Sequence, residues 1–281
     1  MFRNRLYPQS GSGFGGLKLW IAVAIAGFSI FSYLSKGDYN EQTGEMQFVS
    51  LSPKQEIALG LQSTPKLIAQ YGGLHPDEQL QKLVDAIGNR LLRKSHAKET
   101  PYKFEFHLLK DKKIVNAFAL PGGQVFITYA LFSKLKTEGQ IAGVLGHEIG
   151  HVIARHSAQR LAKAELTEGL TGAIFLATFD PDNPGKMAVG QMAAVAASLI
   201  NMKYGREDEL ESDALGIRYM TEAGYNPNSM IEVMKVLEAA SGGGRQPEFF
   251  STHPNPENRV EKIQATIKKL YPKGLPPGLE N

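Results

Sequence analysis

The most uniform stretch of the chain is apolar. No charged residue interrupts Leu19–Leu34, while Arg3, Arg5 and Lys18 precede it and no acidic residue occurs before Asp38. The run falls slightly short of the roughly 20 residues that span a bilayer, but Leu17 and the aliphatic stem of Lys18 extend it. We expect one transmembrane helix over 17–35, behind a basic cytoplasmic N-terminus at 1–16. A cleaved signal peptide is the main competing reading. The small residues Ala22, Ala24 and Ala26 lie inside the run rather than after it, which leaves no good cleavage site. A transit peptide or a buried helix would also give an apolar N-terminal run. The positive flank places the bulk of the chain on the non-cytoplasmic side.

After a polar stretch at 36–50, read as a linker, the pattern becomes that of a folded domain over 51–271. Ser52-Pro53-Lys54-Gln55 has the form of a helix start, with Ser at the N-cap and Pro at the first helical position. Pro65 should kink or restart that helix. Pro76 opens another, with Leu80, Leu83, Val84, Ile87 and Leu91 on one face. Residues 102–109 (YKFEFHLL) alternate and predict a strand. In 115–128, two β-prone runs flank Pro121-Gly122-Gly123, the turn chemistry of a hairpin. Thr137 and Gln140 form a capping-box pattern ahead of a helix that buries Ile141, Val144, Leu145, Ile149, Val152 and Ile153.

The apolar runs 171–179 and 187–200, separated by the loop 179–185, are too short and too rich in Gly and Ala to read as membrane spans. We read them as buried or groove-lining helices, with membrane contact as the alternative. Three further helices follow: 207–223 closed by Gly224, 227–240, and 256–270. The tail 272–281 reads as flexible. Together these give an α+β, mainly helical fold with a small antiparallel sheet.

Composition narrows the chemistry. A net charge of +3 without a long basic block argues against a nucleic-acid partner. The absence of cysteine excludes disulfides, thiolate metal sites and cysteine nucleophiles.

Residues 147–151 read His-Glu-Ile-Gly-His. Four residues is about 400° of helix, so His147 and His151 leave the same face one turn apart and can hold one zinc ion. Glu148, offset around the helix, reaches a water activated by that metal and can take its proton. A third ligand must come from elsewhere. His253 is one candidate, and the acidic helix start 207–213 supplies two i, i+4 pairs, Glu207 with Glu211 and Glu209 with Asp213. Like charges at that spacing repel unless a cation lies on the face. One carboxylate of a pair could bind metal while the other orients a ligating histidine. Spacing does not choose between the pairs.

Four segments in order, NAFALPGGQVFIT, GVLGHEIGHVIARH, YGREDELESDALG and STHPNPENR, resemble the zinc metallopeptidase family that contains HtpX, BepA, LoiP and the CAAX prenyl proteases. The resemblance covers roughly 50–270 and is nearest to the envelope quality-control branch. It implies a zincin-like metallopeptidase domain with one zinc ion per chain. It also implies Glu209 as third ligand, with Asp213 behind a zinc-binding histidine. Arg206 matches a family arginine and would orient Glu209 or nearby backbone. Ser212 and Gly205 depart from the family pattern. Asn116 and Ala117 map to the edge strand that binds substrate, where an extended peptide can pair by main-chain hydrogen bonds. His253 would stabilise an oxyanion or cap the metal in a resting state. Arg155 and His156 are expected to make structural contacts.

The resulting expectation is a membrane-anchored zinc metalloendopeptidase acting on unfolded or misfolded polypeptides, facing a cell envelope or periplasm, or an organelle space. A binding or chaperone-like scaffold with a self-capped zinc is the alternative. A membrane-embedded prenyl protease would need more long apolar segments.

Overall fold

The computed structural model describes residues 13–178, 204–241, 247–255 and 258–281. The first apolar run forms helix α1 (Gly13–Leu34), which exposes Trp20, Phe28 and Phe31 and buries Ala22. Its length and composition suffice to cross a membrane.

Residues 36–50 are not a free linker. They form an antiparallel hairpin, β1 (Gly37–Asn40) and β2 (Glu45–Phe48). The polar side chains that suggest solvent exposure have another use. Asn40 Nδ2 donates to the carbonyl of Ile153 at 2.7 Å, and Gln47 Nε2 to that of Ala154 at 2.9 Å. These carbonyls lie at the end of the helix that carries the HEIGH motif, where intrahelical donors have run out.

Helix α2 (Pro53–Gln70) has the expected Ser52–Gln55 capping box. Pro65 does not restart it; the helix runs through, with one backbone hydrogen bond fewer. Packing on both sides of Pro65 holds the two halves together: Leu67 is buried, and Gly60 lies so close to the Pro121 carbonyl that a Cβ there would sit 2.2 Å from its oxygen. Helix α3 (Glu78–Lys94), capped by Asp77, buries Val84, Ile87 and Leu91.

Strands β3 (Glu105–Leu109), β4 (Ala117–Leu120) and β5 (Gln124–Thr128) form the second sheet in the order β3-β5-β4. The β4–β5 hairpin is antiparallel, as its turn demands, but β3 pairs with β5 in parallel, so the sheet is mixed. The reason is that β5, buried at all five positions, inserts between the other two strands. That leaves β4 on the edge.

A short α4 (Tyr129–Phe132) leads to α5 (Glu138–Ile153), which begins at Thr137 with the expected cap. Every residue of α5 from Gly139 to Ile153 is buried, so it is a central helix rather than an amphipathic surface one. Helix α6 (His156–Thr178) then runs back along α1. The run 171–179 supplies the end of α6 as far as Thr178; its last residue, the loop 179–185 and the run 187–200 lie outside the described residues. Helix α7 (Arg206–Glu222) packs along α5, followed by α8 (Ser229–Ala240), a single turn α9 (Phe249–Thr252) and α10 (Arg259–Leu270).

The tail is docked, contrary to expectation. Glu280 N donates to the Gly224 carbonyl and its own carbonyl accepts from Asn226 N, while Arg90 pairs with the Glu280 carboxylate at 2.6 Å. The turn after α7 leaves those backbone groups free, and the tail satisfies them.

Candidate metal centre

Two glycine contacts bring α5 and α7 together. A Cβ on Gly150 would lie 2.9 Å from the Ser212 carbonyl oxygen, and one on Gly216 would lie 3.1 Å from the Gly146 carbonyl carbon. This close approach turns Glu209 and Asp213 towards the histidines of α5. His147 Nε2 and His151 Nε2 are 3.0 Å apart. Glu209 places Oε2 at 3.5 Å from His147 Nε2 and Oε1 at 3.4 Å from His151 Nε2. His253 Nδ1 lies 3.1 Å from Glu209 Oε1 and 3.4 Å from His147 Nε2. All four residues are buried.

These separations allow a direct test of whether the group fits a metal. Donors arranged tetrahedrally at zinc distances stand about 3.3 Å from one another. The observed spacings of 3.0–3.5 Å bracket that value. Both oxygens of Glu148, Oε2 of Glu209 and Nε2 of His253 are buried without a hydrogen bond. Buried polar atoms rarely stay so unless an ion or water belongs there. Two imidazoles, a carboxylate and a third imidazole are a donor set suited to zinc.

Each histidine of the motif is held from behind. His147 Nδ1 is 2.9 Å from Asp213 Oδ1, which leaves Nε2 free to face the centre. Asp213 is itself gripped by Arg259, whose Nε and Nη2 each donate at 2.8 Å. Arg259 Nη1 also forms an ion pair with Glu209 Oε2 at 3.1 Å. His151 Nδ1 is 2.8 Å from His156 Nδ1, and His156 Nε2 is 2.8 Å from Glu211 Oε2. One tautomer set satisfies that line: His151 Nδ1–H donates to His156, and His156 Nε2–H donates to Glu211. The Tyr204 ring stacks on His151 with centroids 3.9 Å apart.

Both acidic pairs of α7 therefore have a member near the centre, which spacing alone could not show. Glu209 and Asp213 face His147, Glu211 supports His156, and Glu207 is exposed. The arginine expectation needs correcting. Arg206 is exposed at the first turn of α7, and the guanidinium that contacts Glu209 and Asp213 is Arg259 of α10. Arg206 lies about one turn before Glu209, but its side chain is exposed while the Glu209 carboxylate is fully buried against the histidines. Arg259 closes the STHPNPENR segment, the one sequence signal that could have pointed to it. Arg155 makes the structural contacts expected of it, with Glu56, Asp38 and the Leu51 carbonyl. His156, in contrast, reaches into the centre through His151.

Burial works against charge at His147, yet its hydrogen bonds to Asp213 and Glu209 raise its pKa to about 9. Burial drives His151 well below the usual histidine range, which favours the neutral form that binds metals. Burial opposes ionisation of Glu209, but the attraction of His253 and hydrogen bonds from the histidines hold it well below the ordinary carboxylate range. Burial raises the pKa of Glu148, whose carboxylate lies 3.5 Å from His253 Nε2. The centre thus combines the ionised carboxylate of Glu209 with a second carboxyl group, Glu148, prone to hold a proton.

The loop bearing His253 is fixed by neighbours. Phe249 stacks on the His253 ring at 4.4 Å, His253 N donates to the Phe249 carbonyl, and Tyr204 N donates to the Thr252 carbonyl. Asn116 and Ala117 lie at the start of edge strand β4, both buried. Asn116 exchanges backbone and side-chain hydrogen bonds with Thr128, and its Oδ1 has no partner.

The profile of peptidase family M48 matches residues 78–267. The chain is similar to the beta-barrel assembly-enhancing protease of Escherichia coli (strain K12), with 30% identity over 265 residues, covering 90% of this chain and 53% of that protein. It is also similar to the mitochondrial metalloendopeptidase OMA1 of Schizosaccharomyces pombe, with 29% identity over 90% of this chain and 73% of that protein. OMA1 of Saccharomyces cerevisiae is 27% identical over 95% of this chain and 81% of its own length. The chain spans about half the length of the bacterial relatives it matches.

Proposed function

Because the chain belongs to peptidase family M48, we propose that it is a membrane-anchored zinc metalloendopeptidase that hydrolyses extended or misfolded polypeptides. The observation that carries this reading is the convergence of His147, His151 and Glu209 at tetrahedral spacing beside Glu148. A zinc ion held by His147, His151 and Glu209 would supply Lewis acidity towards the scissile carbonyl and acidify the attacking water. Glu148 takes the proton of that water and returns it to the leaving amine. Its raised pKa suits a group that must both accept and give back a proton. Asp213 and Arg259 hold the His147 tautomer, and His156 with Glu211 holds that of His151.

An extended substrate would pair with β4, the edge strand that packs beside α5, with Asn116 just before it and Ala117 at its start. Main-chain pairing accepts many sequences, in keeping with unfolded substrates. Each relative reported above carries a protease or peptidase name, which supports the reaction class. Helix α1 anchors the enzyme with the catalytic domain on the non-cytoplasmic side, facing an envelope or organelle space. Among the described residues, α1 is the one helix suited to a span, which weighs against a prenyl protease chamber. The test is degradation of reduced casein by the purified chain. Activity should vanish with chelator and return with stoichiometric zinc; degradation indifferent to chelator would refute the reading.

One observation favours a second state of the same site. His253 Nδ1 lies 3.4 Å from His147 Nε2 and 3.1 Å from Glu209 Oε1, near enough to take the fourth position that water or substrate would otherwise use. We read it as a removable cap, with withdrawal of the 252–255 loop opening the site. His253→Ala should then raise casein turnover several-fold while retaining one zinc per chain. Loss of zinc and of the folded state would instead support the scaffold reading, with a permanently closed structural site.

A further inference from the structure

The anchor does not stand alone. Helix α6 leaves the metal centre at His156 and runs antiparallel to α1. Near the end of α1, Lys36 Nζ pairs with Glu165 Oε2 at 2.5 Å, and Ser50 Oγ donates to the same oxygen at 2.7 Å. One turn further along α6, Gly169 meets Ser29 so closely that a Cβ would lie 2.2 Å from Ser29 Oγ. Beyond that, Ala173 of α6 and Ala22 of α1 are both buried. Ala22, Ala26, Ser29 and Tyr33 are the covered face of α1, while Trp20, Val23, Phe28 and Phe31 are exposed. Below Tyr33, which lies at the end near Lys36, the covered face is made of small residues with large apolar ones outside it, the arrangement of paired helices in lipid, where packing rather than water expulsion drives association. Ser29 Oγ donates to the Ile25 carbonyl within its own helix, so it presents no unpaired donor.

The depth follows from helix geometry. Thr178 is thirteen residues past Glu165, about 20 Å along the axis, while α1 from Leu34 back to Leu17 is about 26 Å. No charged residue occurs between Glu168 and Asp180. Lys36, Glu165 and Ser50 then mark the level of the headgroups.

We propose that the last turns of α6, Gly169–Thr178, are embedded among lipid acyl chains beside α1, so that the catalytic domain itself inserts into the bilayer. This deepens the proposed function and rests on α1 being in the membrane. His156 lies nine residues before Glu165, about 14 Å along α6. The metal centre is therefore held at a fixed height of that order above the surface. Its substrates are polypeptide segments that emerge from, or lie along, the membrane.

The absence of cysteine makes the test clean. Single cysteines are placed at Thr171, at Lys163 and, in α1, at Ala24, all exposed in the fold, in the full chain reconstituted in phosphatidylcholine and phosphatidylglycerol vesicles. Each is labelled with a membrane-impermeant maleimide. Thr171→Cys should react at least tenfold more slowly than Lys163→Cys, and as fast as it in detergent with urea. A smaller difference in vesicles overturns the insertion of α6. If Ala24→Cys stays protected in that case, the anchor stands and α6 alone is wrong; if Ala24→Cys also reacts, the anchor reading falls with it.

Discussion

Glu148→Gln is expected to keep one zinc per chain and to lose casein turnover by about two to four orders of magnitude, the usual contribution of a positioned acid–base group. The expectation follows from where Glu148 stands. It is fully buried, and its carboxylate sits beside the metal donors without being one of the converging atoms. Its Oε1 lies 3.5 Å from His253 Nε2. Glutamine keeps the shape and the polarity but cannot take a proton. Metal emission analysis and single-turnover cleavage separate the two effects. Normal turnover with bound zinc would remove Glu148 as the base; loss of zinc would mean that it contributes to binding instead.

Arg259→Gln should cause the largest loss of stability of any single side-chain change near the centre. The guanidinium is 3% exposed, donates twice to Asp213 and pairs with Glu209. Removing it leaves two buried carboxylates short of a counter-charge, a situation that costs about 3–5 kcal/mol. For a domain of this size that lowers Tm by roughly 6 to 20 °C. A bound divalent cation offsets part of the missing charge, so the drop should be larger with chelator than with zinc. Arg259→Lys restores the charge without the two-pronged geometry and should fall between the two. Differential scanning calorimetry with and without chelator decides the matter. A change below about 2 °C in both conditions would show that the carboxylates do not depend on Arg259.

What could be read along the chain was mostly short-range. The Ser52–Gln55 and Thr137–Gln140 caps, the Pro121-Gly122-Gly123 turn and the one-turn spacing of His147 and His151 each involve residues within a few positions of one another. Such signals survive without knowledge of the fold. The choice among the carboxylates of α7 was not legible, because it depends on how that helix is rotated about its axis. Contacts at Gly150 and Gly216, supplied by the partner helix in each case, set the rotation. Arg259 was missed for a similar reason. Arg206 is near Glu209 in sequence, whereas Arg259 is near it only because α10 packs against α7. The hairpin at 37–48 and the docked tail looked like solvent-facing chain, since their polar groups could have been satisfied by water. Both instead satisfy backbone groups that the helices leave open.

The Asn40 and Gln47 amides tie the segment just after α1 to the carbonyls that end α5, two and three residues past His151. The segment after α1 and the helix of the HEIGH motif are thus one mechanical unit. A fragment cut at Leu51 would lose α1 and, with it, the lock on the end of the very helix that presents both imidazoles. Fragments for biochemistry should therefore start ahead of Gly37.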